Sequence, residues 1–354
     1  MMKAVRVHKH GGLDVLVYES IPTPKIQQNE VLIEVKACAL NHLDIWTRKG
    51  LPGIKLPLPI VPGSDISGVV CEVGKLVSGV KEGDKVVLAP GVSCGECKAC
   101  LAGEDNLCPD YSILGFKRDG GYAEFVKVPS SNVIPMPEVL TFVEAASVPL
   151  VFLTAWHMLV TRAKVQPGED VLVLGAGSGV GIAAIQIAKL FGARVLTTAS
   201  TEEKLAKAHG IGADEGINHA KKDIYHEVMK LTAKKGVEII IEHVGPATWE
   251  KCILSLARNG RLVTCGATTG PIVKLDLRYL FSKHLSLLGS YMGSKAELLQ
   301  VLSYFQQKKL APVVDRVIAL KDAKTAHKIL EERTQFGKVV LTPHAESGKK
   351  HAKS

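Results

Sequence analysis

The sequence predicts an α/β protein that combines a β-rich domain with a doubly wound parallel sheet, and three observations lead to this prediction. The chain has 354 residues, which is enough for two domains at roughly 100–200 residues each. Up to about residue 150, short β-branched runs are separated by turn residues. Beyond that point, apolar runs alternate with helical segments, which is typical of parallel strands connected by helices.

The strands of the first domain are predicted from short segments with turn residues between them. The β-branched runs at 4–7 and 31–35 are predicted to be strands. At 79–90, Gly83 and Asp84 indicate a turn that leads into a strand. At 120–128, two glycines precede aromatic or β-branched residues that alternate with polar ones. This alternation predicts a strand with one buried face.

The strands of the second domain are predicted from continuous apolar runs, because a strand buried on both faces of a sheet needs no polar alternation. These runs cover 170–175, 194–199, 238–245, 260–266 and 285–290. Helical periodicity predicts helices at 181–192, at 203–210 and around 249–256, and Gly210 is expected to close the second of them.

The end of the chain is expected to return to the first domain. The pattern at 295–341 predicts helix, strand, helix and strand, which is too little for an independent domain. The predicted domains are therefore 1–151 together with 292–342, and 152–291. Residues 343–354 form a polar, basic tail that is expected to be disordered.

Composition and charge are those of a globular protein, for which the cytoplasm is the expected compartment. The hydrophobic fraction of 46% and the charged fraction of 22% are those of a globular protein. The sequence has no apolar run of the roughly 18 residues that a membrane helix needs, and no secretory signal is predicted at its start. The net charge of +9 is spread along the chain, and the one compact basic cluster lies in the tail. An anionic cofactor or substrate explains this surplus, so neither nucleic acid nor membrane is expected as a partner.

A glycine-rich turn at 175–181 predicts a dinucleotide site. It follows a buried strand and opens an amphipathic helix, so its amides and the helix N-terminus can face a pyrophosphate. The spacing is G-x-G-x-G-x-G and departs from the usual G-x-G-x-x-G, because position 178 is serine. The predicted cofactor-binding residues of this turn are Gly175, Gly177, Ser178, Gly179, Val180 and Gly181.

The end of the second strand of this domain favours NADPH over NADH. An acidic residue there would accept the ribose 2′-hydroxyl and repel a 2′-phosphate. Ser200 occupies the expected position and Lys204 follows closely, a pair that suits a phosphate. Glu202 and Glu203 are the counter-evidence, since a small change in geometry would bring either of them to the ribose.

Four cysteines at 94–108 predict one structural zinc ion. Cys94, Cys97, Cys100 and Cys108 have the spacing C-x2-C-x2-C-x7-C within a lobe at 91–111. An iron–sulfur cluster of the CxxCxxC type would use a final gap of three residues and a remote fourth cysteine. Zinc modules for nucleic acids normally separate two ligand pairs by a dozen or more residues.

With both motifs identified, the chain resembles the medium-chain dehydrogenase/reductase superfamily over roughly residues 1–342. The resemblance rests on eight segments, one of which is the glycine-rich turn at 175–181. The other seven are a loop at 39–50, a turn at 62–74, and the segments 83–87, 120–125, 153–156, 287–290 and 336–341. It implies a GroES-like catalytic domain and a Rossmann cofactor domain. It also implies a homodimer or homotetramer, in which the last sheet strands pair across subunits.

The resemblance indicates where the catalytic zinc of related alcohol dehydrogenases would be bound. The three ligand positions of that family are occupied here by Asn41, Ser64 and Leu150. Leucine cannot bind a metal, and asparagine and serine are poor zinc ligands beside thiolate and imidazole. His42, Asp44 and Asp65 lie nearby in sequence as possible substitute ligands.

Loss of that zinc favours hydride addition to a quinone or an α,β-unsaturated carbonyl, because hydrogen-bond donors can then stabilise the distal carbonyl oxygen. Asn41 is the first candidate catalytic residue and Asp44 the second, although Asp44 also suits a helix cap. Thr154, Gly266 and Ala267 resemble positions near the nicotinamide, with a helix start and a plain turn as the alternatives. His42 and His243 are expected to be structural.

Two other functions are kept open at this point. One is an NAD(P)-dependent alcohol or aldehyde dehydrogenase with an atypical metal site. The other is a zinc-bearing binding protein without enzymatic activity, in which the nucleotide fold would be vestigial.

Overall fold

The computed structural model describes residues 1–343 and divides the chain into two compact units. Within the described residues, the first comprises Met1–Leu150 and 294–343, and the second comprises Val151–Gly293. The predicted boundaries lie one or two residues from these points. The tail predicted to be disordered falls, apart from its first residue, outside the described residues. No helix within residues 1–343 is both long and apolar enough to span a membrane.

The N-terminal part of the first unit is dominated by short strands. Its elements are β1 (Met2–Val7), β2 (Leu16–Ile21), β3 (Glu30–Ala39), α1 (His42–Lys49), β4 (Asp65–Val73), β5 (Lys85–Leu88), β6 (Gly91–Val92), α2 (Lys98–Leu101), β7 (Ser112–Ile113), β8 (Phe125–Pro129), β9 (Val133–Pro135) and α3 (Phe142–Ala146).

The second unit alternates strands and helices. After α4 (Pro149–Trp156), its elements are β10 (Asp170–Val173), α5 (Gly179–Leu190), β11 (Arg194–Ala199), α6 (Glu202–Gly210), β12 (Glu215–Asn218), α7 (Ile224–Leu231), β13 (Val237–Glu242), α8 (Pro246–Ser255), β14 (Leu256–Thr264), α9 (Leu277–Ser282) and β15 (Ser286–Gly289). The chain then adds α10 (Lys295–Gln306), β16 (Val314–Ala319), α11 (Ala323–Glu332) and β17 (Lys338–Thr342) to the first unit.

Each unit is organised around its own sheet. The first has a seven-stranded sheet in the order β16-β17-β3-β4-β5-β9, with β8 also paired to β3. The second has a six-stranded parallel sheet in the order β12-β11-β10-β13-β14-β15. This is the doubly wound order in which the first strand lies beside the point where the order reverses. The predicted fold class, a β-rich domain combined with a doubly wound parallel sheet, is confirmed.

A row of apolar residues across the parallel strands forms part of the core of the second unit. Leu172, Leu196, Ile240 and Leu262 come from four adjacent strands and are fully buried. Burial of side chains of this size contributes about 1.5–3 kcal/mol each. The same continuous apolar runs that predict these strands therefore also provide their main stabilisation.

Four local predictions are wrong. The predicted loop at 39–50 contains helix α1, and most of the predicted turn at 62–74 is strand β4, which pairs with β3. The strand predicted at 120–128 begins only at Phe125. The amides of Gly120 and Gly121 instead donate to the carbonyls of Val61 and Gly63 at 2.8 and 2.9 Å.

The fourth concerns the end of α6. Gly210 does not close this helix but is its last residue, and the backbone leaves the helix through Ile211 at φ −107°. The glycine with positive φ in this turn is Gly212, at φ +111°. A C-terminal glycine signal was therefore present, but it lay two residues later than expected.

A buried histidine on α11 makes the first unit sensitive to acid. His327 is fully buried, and its Nε2 lies 3.2 Å from the hydroxyl of Tyr122. Burial and the nearby Arg48 guanidinium lower the pKa of His327 from 6.5 to about 3. As the pH falls, the unfolded chain therefore binds this proton before the folded chain does. The stabilisation is complete above pH 6.5 and is lost progressively toward pH 3.

His327→Gln is expected to weaken this acid sensitivity. Glutamine can still hydrogen bond to Tyr122 but does not titrate. Between pH 7 and pH 4.5, the unfolding free energy of the wild type should fall by about 2–3 kcal/mol more than that of the variant. Urea unfolding at each pH measures this difference, with the exposed His284→Asn as a control. Parallel pH curves for the wild type and His327→Gln would contradict this account.

Candidate active site

The predicted dinucleotide turn forms a tight strand-to-helix connection in the second unit. Gly175 adopts φ +67°, a left-handed conformation that glycine tolerates best. Ser178 caps α5 and accepts a hydrogen bond from the amide of Gly181 at 2.9 Å. A Cβ atom on Gly181 would lie 2.3 Å from the carbonyl oxygen of Gly175, so this position requires glycine. Gly177 lies within the turn, and Gly179 and Val180 begin the helix.

Residues after the neighbouring strands hold the same edge of the sheet together. His243 follows β13, and its Nε2 lies 2.9 Å from the carbonyl oxygen of Leu174. A carbonyl only accepts, so Nε2 carries the proton. The buried carboxylate of Glu242 accepts from the amides of Val244 and Gly245 at 2.7 and 2.6 Å. These contacts order the edge of the sheet where the glycine turn lies.

Three further predicted cofactor residues of this unit, Gly266, Ala267 and Thr154, lie in two places. Gly266 and Ala267 lie in the loop after β14, and the next residues of that loop bond back to Val244. In a parallel sheet the carboxyl ends of the strands share one edge, so this loop and the glycine turn are on the same edge. Thr154 is buried as the sixth residue of α4. Its alternative role at a helix start is therefore wrong.

The chain's geometry fits a dinucleotide at this edge. The twelve-residue helix α5 begins immediately after a turn whose glycines allow the backbone to approach a ligand. Its first amides and its dipole favour an anionic group. Gly175, Gly177, Ser178, Gly179, Val180 and Gly181 would hold the pyrophosphate, and a bound nicotinamide would supply the hydride.

The end of β11 carries the residues that would distinguish the two cofactors. Ser200 is exposed directly after Ala199, and Lys204 lies in the first turn of α6. The two competing carboxylates are already engaged. Glu202 accepts from the side-chain amide of Asn218 at 2.7 Å, and Glu203 pairs with Lys207 at 2.6 Å.

The four predicted zinc ligands converge in the first unit. The sulfur atoms of Cys94, Cys97, Cys100 and Cys108 all lie within 4.8 Å of one another. Cys94 Sγ is 3.9 Å from Cys100 Sγ and 3.6 Å from Cys108 Sγ. A tetrahedral zinc with Zn–S bonds of about 2.3 Å requires S···S distances of roughly 3.8 Å, so the set fits zinc. The amide of Glu96 lowers the pKa of the Cys94 thiol to about 7, which favours the thiolate.

A second polar group includes Asn41, one of the three positions at which the sequence resemblance implies catalytic-zinc ligands. We call Asn41, Asp65 and Lys338 the amide triad. The Lys338 ammonium lies 2.6 Å from Asn41 Oδ1 and 2.9 Å from Asp65 Oδ2. Asn41 Nδ2 donates to Asp65 Oδ2 at 2.9 Å. All three residues are buried, with Asn41 5%, Lys338 4% and Asp65 0% exposed.

Hydrogen bonds within the chain satisfy the carboxylate of the amide triad. Asp65 Oδ1 accepts the amide of Leu150 at 2.7 Å, and Oδ2 accepts from Asn41 and Lys338. A metal ion would have to displace an ammonium that already balances the charge. The donor set therefore does not fit a catalytic metal, since Leu150 has no ligand atom and Asn41 is a poor one.

The substitute ligands near Asn41 do not form a metal site either. Among residues 1–343, the four-cysteine cluster is the one group of three or more His, Cys, Asp and Glu side chains placed to hold a metal ion. His42 packs edge-on against Trp46, with ring centroids 5.0 Å apart. The structure thus does not assemble His42, Asp44 and Asp65 as ligands.

Asp44 positions the loop before α1, because both of its carboxylate oxygens accept hydrogen bonds from backbone amides. Its Oδ2 accepts the amide of Asn41 at 2.8 Å, and its Oδ1 accepts the amide of Gly63 at 2.9 Å. Burial raises the pKa of Asp44 to about 6 despite these bonds. The contacts of Asp44 therefore support a role in capping α1 and orienting the loop before it, which was the alternative to a catalytic role.

Ser64 adds an unexplained buried hydroxyl to this region. It is 0% exposed, and its Oγ has no hydrogen-bond partner among the described residues. Unsatisfied buried polar atoms are uncommon and often mark the place of a ligand or a water molecule. Ser64 precedes Asp65 directly and therefore lies next to the amide triad in the chain.

Lys338 is the site residue that sequence analysis misses. It is 273 residues from Asp65 and 297 from Asn41, so no local motif connects it to either. The available signal was a lysine at the start of a strand whose next three residues are apolar. Residues Lys338–Thr342 begin with a fully buried run, where a cation needs a partner.

Comparison with known proteins agrees with the two folds. Residues 27–138 match the family model of the alcohol dehydrogenase GroES-like domain, and 179–307 match that of zinc-binding dehydrogenase. The quinone oxidoreductase of Sus scrofa is 34% identical over 96% of this chain and 98% of its own. An NAD-dependent alcohol dehydrogenase of Sulfolobus acidocaldarius is 32% identical over 96% of this chain and 99% of its own. The solved structure of an NAD-dependent alcohol dehydrogenase is 50% identical in sequence over 97% of this chain and 100% of its own, with a TM-score of 0.94.

The two folds, the glycine turn and these relatives define an NAD(P)-dependent oxidoreductase. The chain belongs to the medium-chain dehydrogenase/reductase superfamily. The resemblance identified from sequence motifs is thereby confirmed. The alternative of a binding protein without enzymatic activity does not fit these relatives.

Proposed function

We propose that the chain transfers a hydride from NADPH to a quinone or an α,β-unsaturated carbonyl compound without a catalytic metal. The observation that carries the proposal is the amide triad. Its carboxylate is saturated by Asn41, Lys338 and the backbone of Leu150, so a donor set for zinc is replaced by a hydrogen-bonded ion pair.

The chemistry of such substrates needs donors and no Lewis acid. Transfer of a hydride to the β-carbon of an enone would break one C–H bond of the reduced nicotinamide, form one C–H bond on the substrate and move an electron pair to the carbonyl oxygen. A proton from water would then complete the saturated ketone, or the hydroquinone when the acceptor is a quinone. Donors aimed at the developing oxyanion stabilise it. The side-chain amide of Asn41 and the hydroxyl of Ser64 are the groups of this chain that would do so.

The preference for NADPH is supported by the end of β11. Ser200 offers a hydroxyl without repelling a 2′-phosphate, and Lys204 adds a cation in the next turn. Glu202 and Glu203 are held by Asn218 and Lys207, which makes them poorer acceptors for a ribose hydroxyl. One zinc ion per chain, bound by the four cysteines, is proposed as a purely structural ion.

Pairing of two copies through β15 is proposed as the assembly. This strand is the last of the six-stranded sheet, and an open edge can pair with another strand. Large apolar side chains near it are exposed, with Ile272 at 82% and Phe281 at 68%. A symmetric homodimer, alone or within a homotetramer, would cover the open edge of β15 and these apolar side chains. A small molecule, and neither nucleic acid nor a membrane, is the proposed substrate.

A substrate screen tests the proposed function. The full chain is assayed for NADPH oxidation with quinones, enones and aldehydes, and for alcohol oxidation with NADP⁺ and NAD⁺. We expect kcat/KM for a quinone or an enone to exceed that for every aldehyde by at least about tenfold, or ~1.4 kcal/mol. Turnover confined to alcohols and aldehydes would overturn the proposal.

An NAD-dependent alcohol dehydrogenase is the second candidate function. It is favoured by the relative at 50% identity, whose printed name is NAD-dependent alcohol dehydrogenase. Alcohol oxidation must stabilise an alkoxide, which a Lewis-acid metal does directly. The amide triad would have to be displaced for such a metal to bind, and the same screen separates this candidate from the first.

A further inference from the structure

The amide of Asn41 lies between a fixed cation and a fixed anion. Lysine carries three donors and no acceptor, so the atom 2.6 Å from Lys338 must be the amide oxygen. The Asp65 carboxylate accepts only, so the atom 2.9 Å from it must be the amide nitrogen. Rotation of the amide by a half-turn would place oxygen against carboxylate and N–H against ammonium. The two charges therefore determine which way this amide points.

We propose that Lys338 is a positioning residue that holds and polarises the Asn41 amide for hydride transfer, an inference that rests on the proposed function. Asn41 Nδ2 has two hydrogens, and one of them is bonded to Asp65. The other is the donor offered to the carbonyl oxygen of the substrate. Lys338 acts on the reaction through Asn41 and not through its own contact with the substrate.

Polarisation adds to orientation. A charged donor on the amide oxygen draws electron density from the amide nitrogen, so the remaining N–H becomes a stronger donor. The effect is large because the three side chains of the amide triad are almost completely buried and little water screens them. The donor gains strength as negative charge develops on the substrate oxygen, which is where it lowers the barrier.

Two simpler roles for Lys338 give different expectations. If Lys338 only balances the charge of Asp65, its loss destabilises the fold, and its effect on kcat does not depend on which residue occupies position 41. If Lys338 instead contacts a phosphate of the cofactor, its loss raises KM for NADPH and leaves kcat nearly unchanged. A positioning role lowers kcat only while Asn41 is present.

A double-mutant cycle distinguishes these roles. Lys338→Met, Asn41→Ala and the double variant are compared in the full chain, using whichever substrate the wild type reduces best. We expect kcat to fall about 10–100-fold for Lys338→Met and about 100–1000-fold for Asn41→Ala. The double variant should lie within about threefold of Asn41→Ala alone, because residues that act as a unit are not additive. KM for NADPH should change by less than about threefold in Lys338→Met.

Lys127→Met is the matched control. Lys127 lies on β8 of the same sheet and pairs with Glu30 at 3.2 Å, away from the amide triad. Its kcat should stay within about twofold of the wild type. If the kcat losses of Lys338→Met and Asn41→Ala multiply, or if the main effect of Lys338→Met is on KM for NADPH, the positioning role is wrong.

Amine rescue covers the case in which Lys338→Met fails to fold. Lys338→Ala leaves space for a primary amine, so added ethylammonium should raise the kcat of this variant at least about tenfold. Ethanol, a neutral molecule of similar size, should restore none, and rescue should be absent in Lys338→Ala/Asn41→Ala. Equal rescue in both backgrounds would overturn the inference. A wild type that reduces no quinone or enone would instead refute the proposed substrate class, so the two failures are distinguishable.

Discussion

Asn41→Ala is expected to lower kcat for quinone or enone reduction by about 100–1000-fold, the loss typical of removing one oxyanion donor. The side-chain amide of Asn41 is the donor that Asp65 and Lys338 orient, and alanine leaves no polar atom in its place. KM for NADPH should change little, since the glycine turn that would bind the cofactor lies in the other unit. Steady-state kinetics with both substrates varied measures the two effects separately.

Asn132→Ala is a matched control for the loss of a buried amide. Asn132 is also fully buried in the first unit, where its Nδ2 donates to the carbonyls of Ala89 and Gly91 at 2.8 and 2.6 Å. Its loss should reduce the unfolding free energy by about 1–3 kcal/mol and leave kcat within about threefold of the wild type. Equal kcat losses in the two variants would mean that Asn41 matters only for stability.

Ser200→Asp is expected to shift cofactor use from NADPH toward NADH by about 100-fold in the ratio of kcat/KM values. The new carboxylate would accept the ribose 2′-hydroxyl of NADH and repel the 2′-phosphate of NADPH, and a repulsion of ~3 kcal/mol corresponds to this ratio. Because Ser200 is exposed directly after β11, the substitution should cost little stability.

Lys230→Gln tests whether the charge at a particular position matters or only the net charge of the second unit. Lys230 is exposed on α7 of the same unit, and the bonds of Glu202 and Glu203 go to other residues. Its substitution should leave the cofactor ratio within about threefold of the wild type, apart from a small effect of general charge. A wild type that already prefers NADH, with no change in Ser200→Asp, would contradict the role given to Ser200.

Local patterns predicted most of the second unit and few of the irregular parts of the first. The runs at 170–175 and 194–199 predicted β10 and β11 to within two residues, because strands buried on both faces are continuously apolar. Strand β4 was interpreted as a turn, because Pro62, Gly63 and Ser64 dominate the start of its segment. Its pairing with β3 is a long-range contact that local patterns do not contain.

The same distinction applies to the two sites. The zinc ligands lie within fifteen residues of chain, from Cys94 to Cys108, so their spacing alone predicted the cluster that the structure assembles. The amide triad combines the residue before α1 with the first residues of β4 and β17. The sequence indicated poor metal ligands at Asn41, Ser64 and Leu150, but only the fold brings Lys338 to Asn41.

Metal content of the active chain tests the absence of a catalytic metal most directly. Zinc is quantified per chain by mass spectrometry in a sample whose NADPH-dependent activity is measured in parallel, for the wild type, Cys100→Ser and Asp65→Asn. We predict one zinc per wild-type chain, zinc lost in Cys100→Ser, and one zinc retained in Asp65→Asn. Two metal ions per active wild-type chain, with one of them lost in Asp65→Asn while the four cysteines remain loaded, would contradict the account.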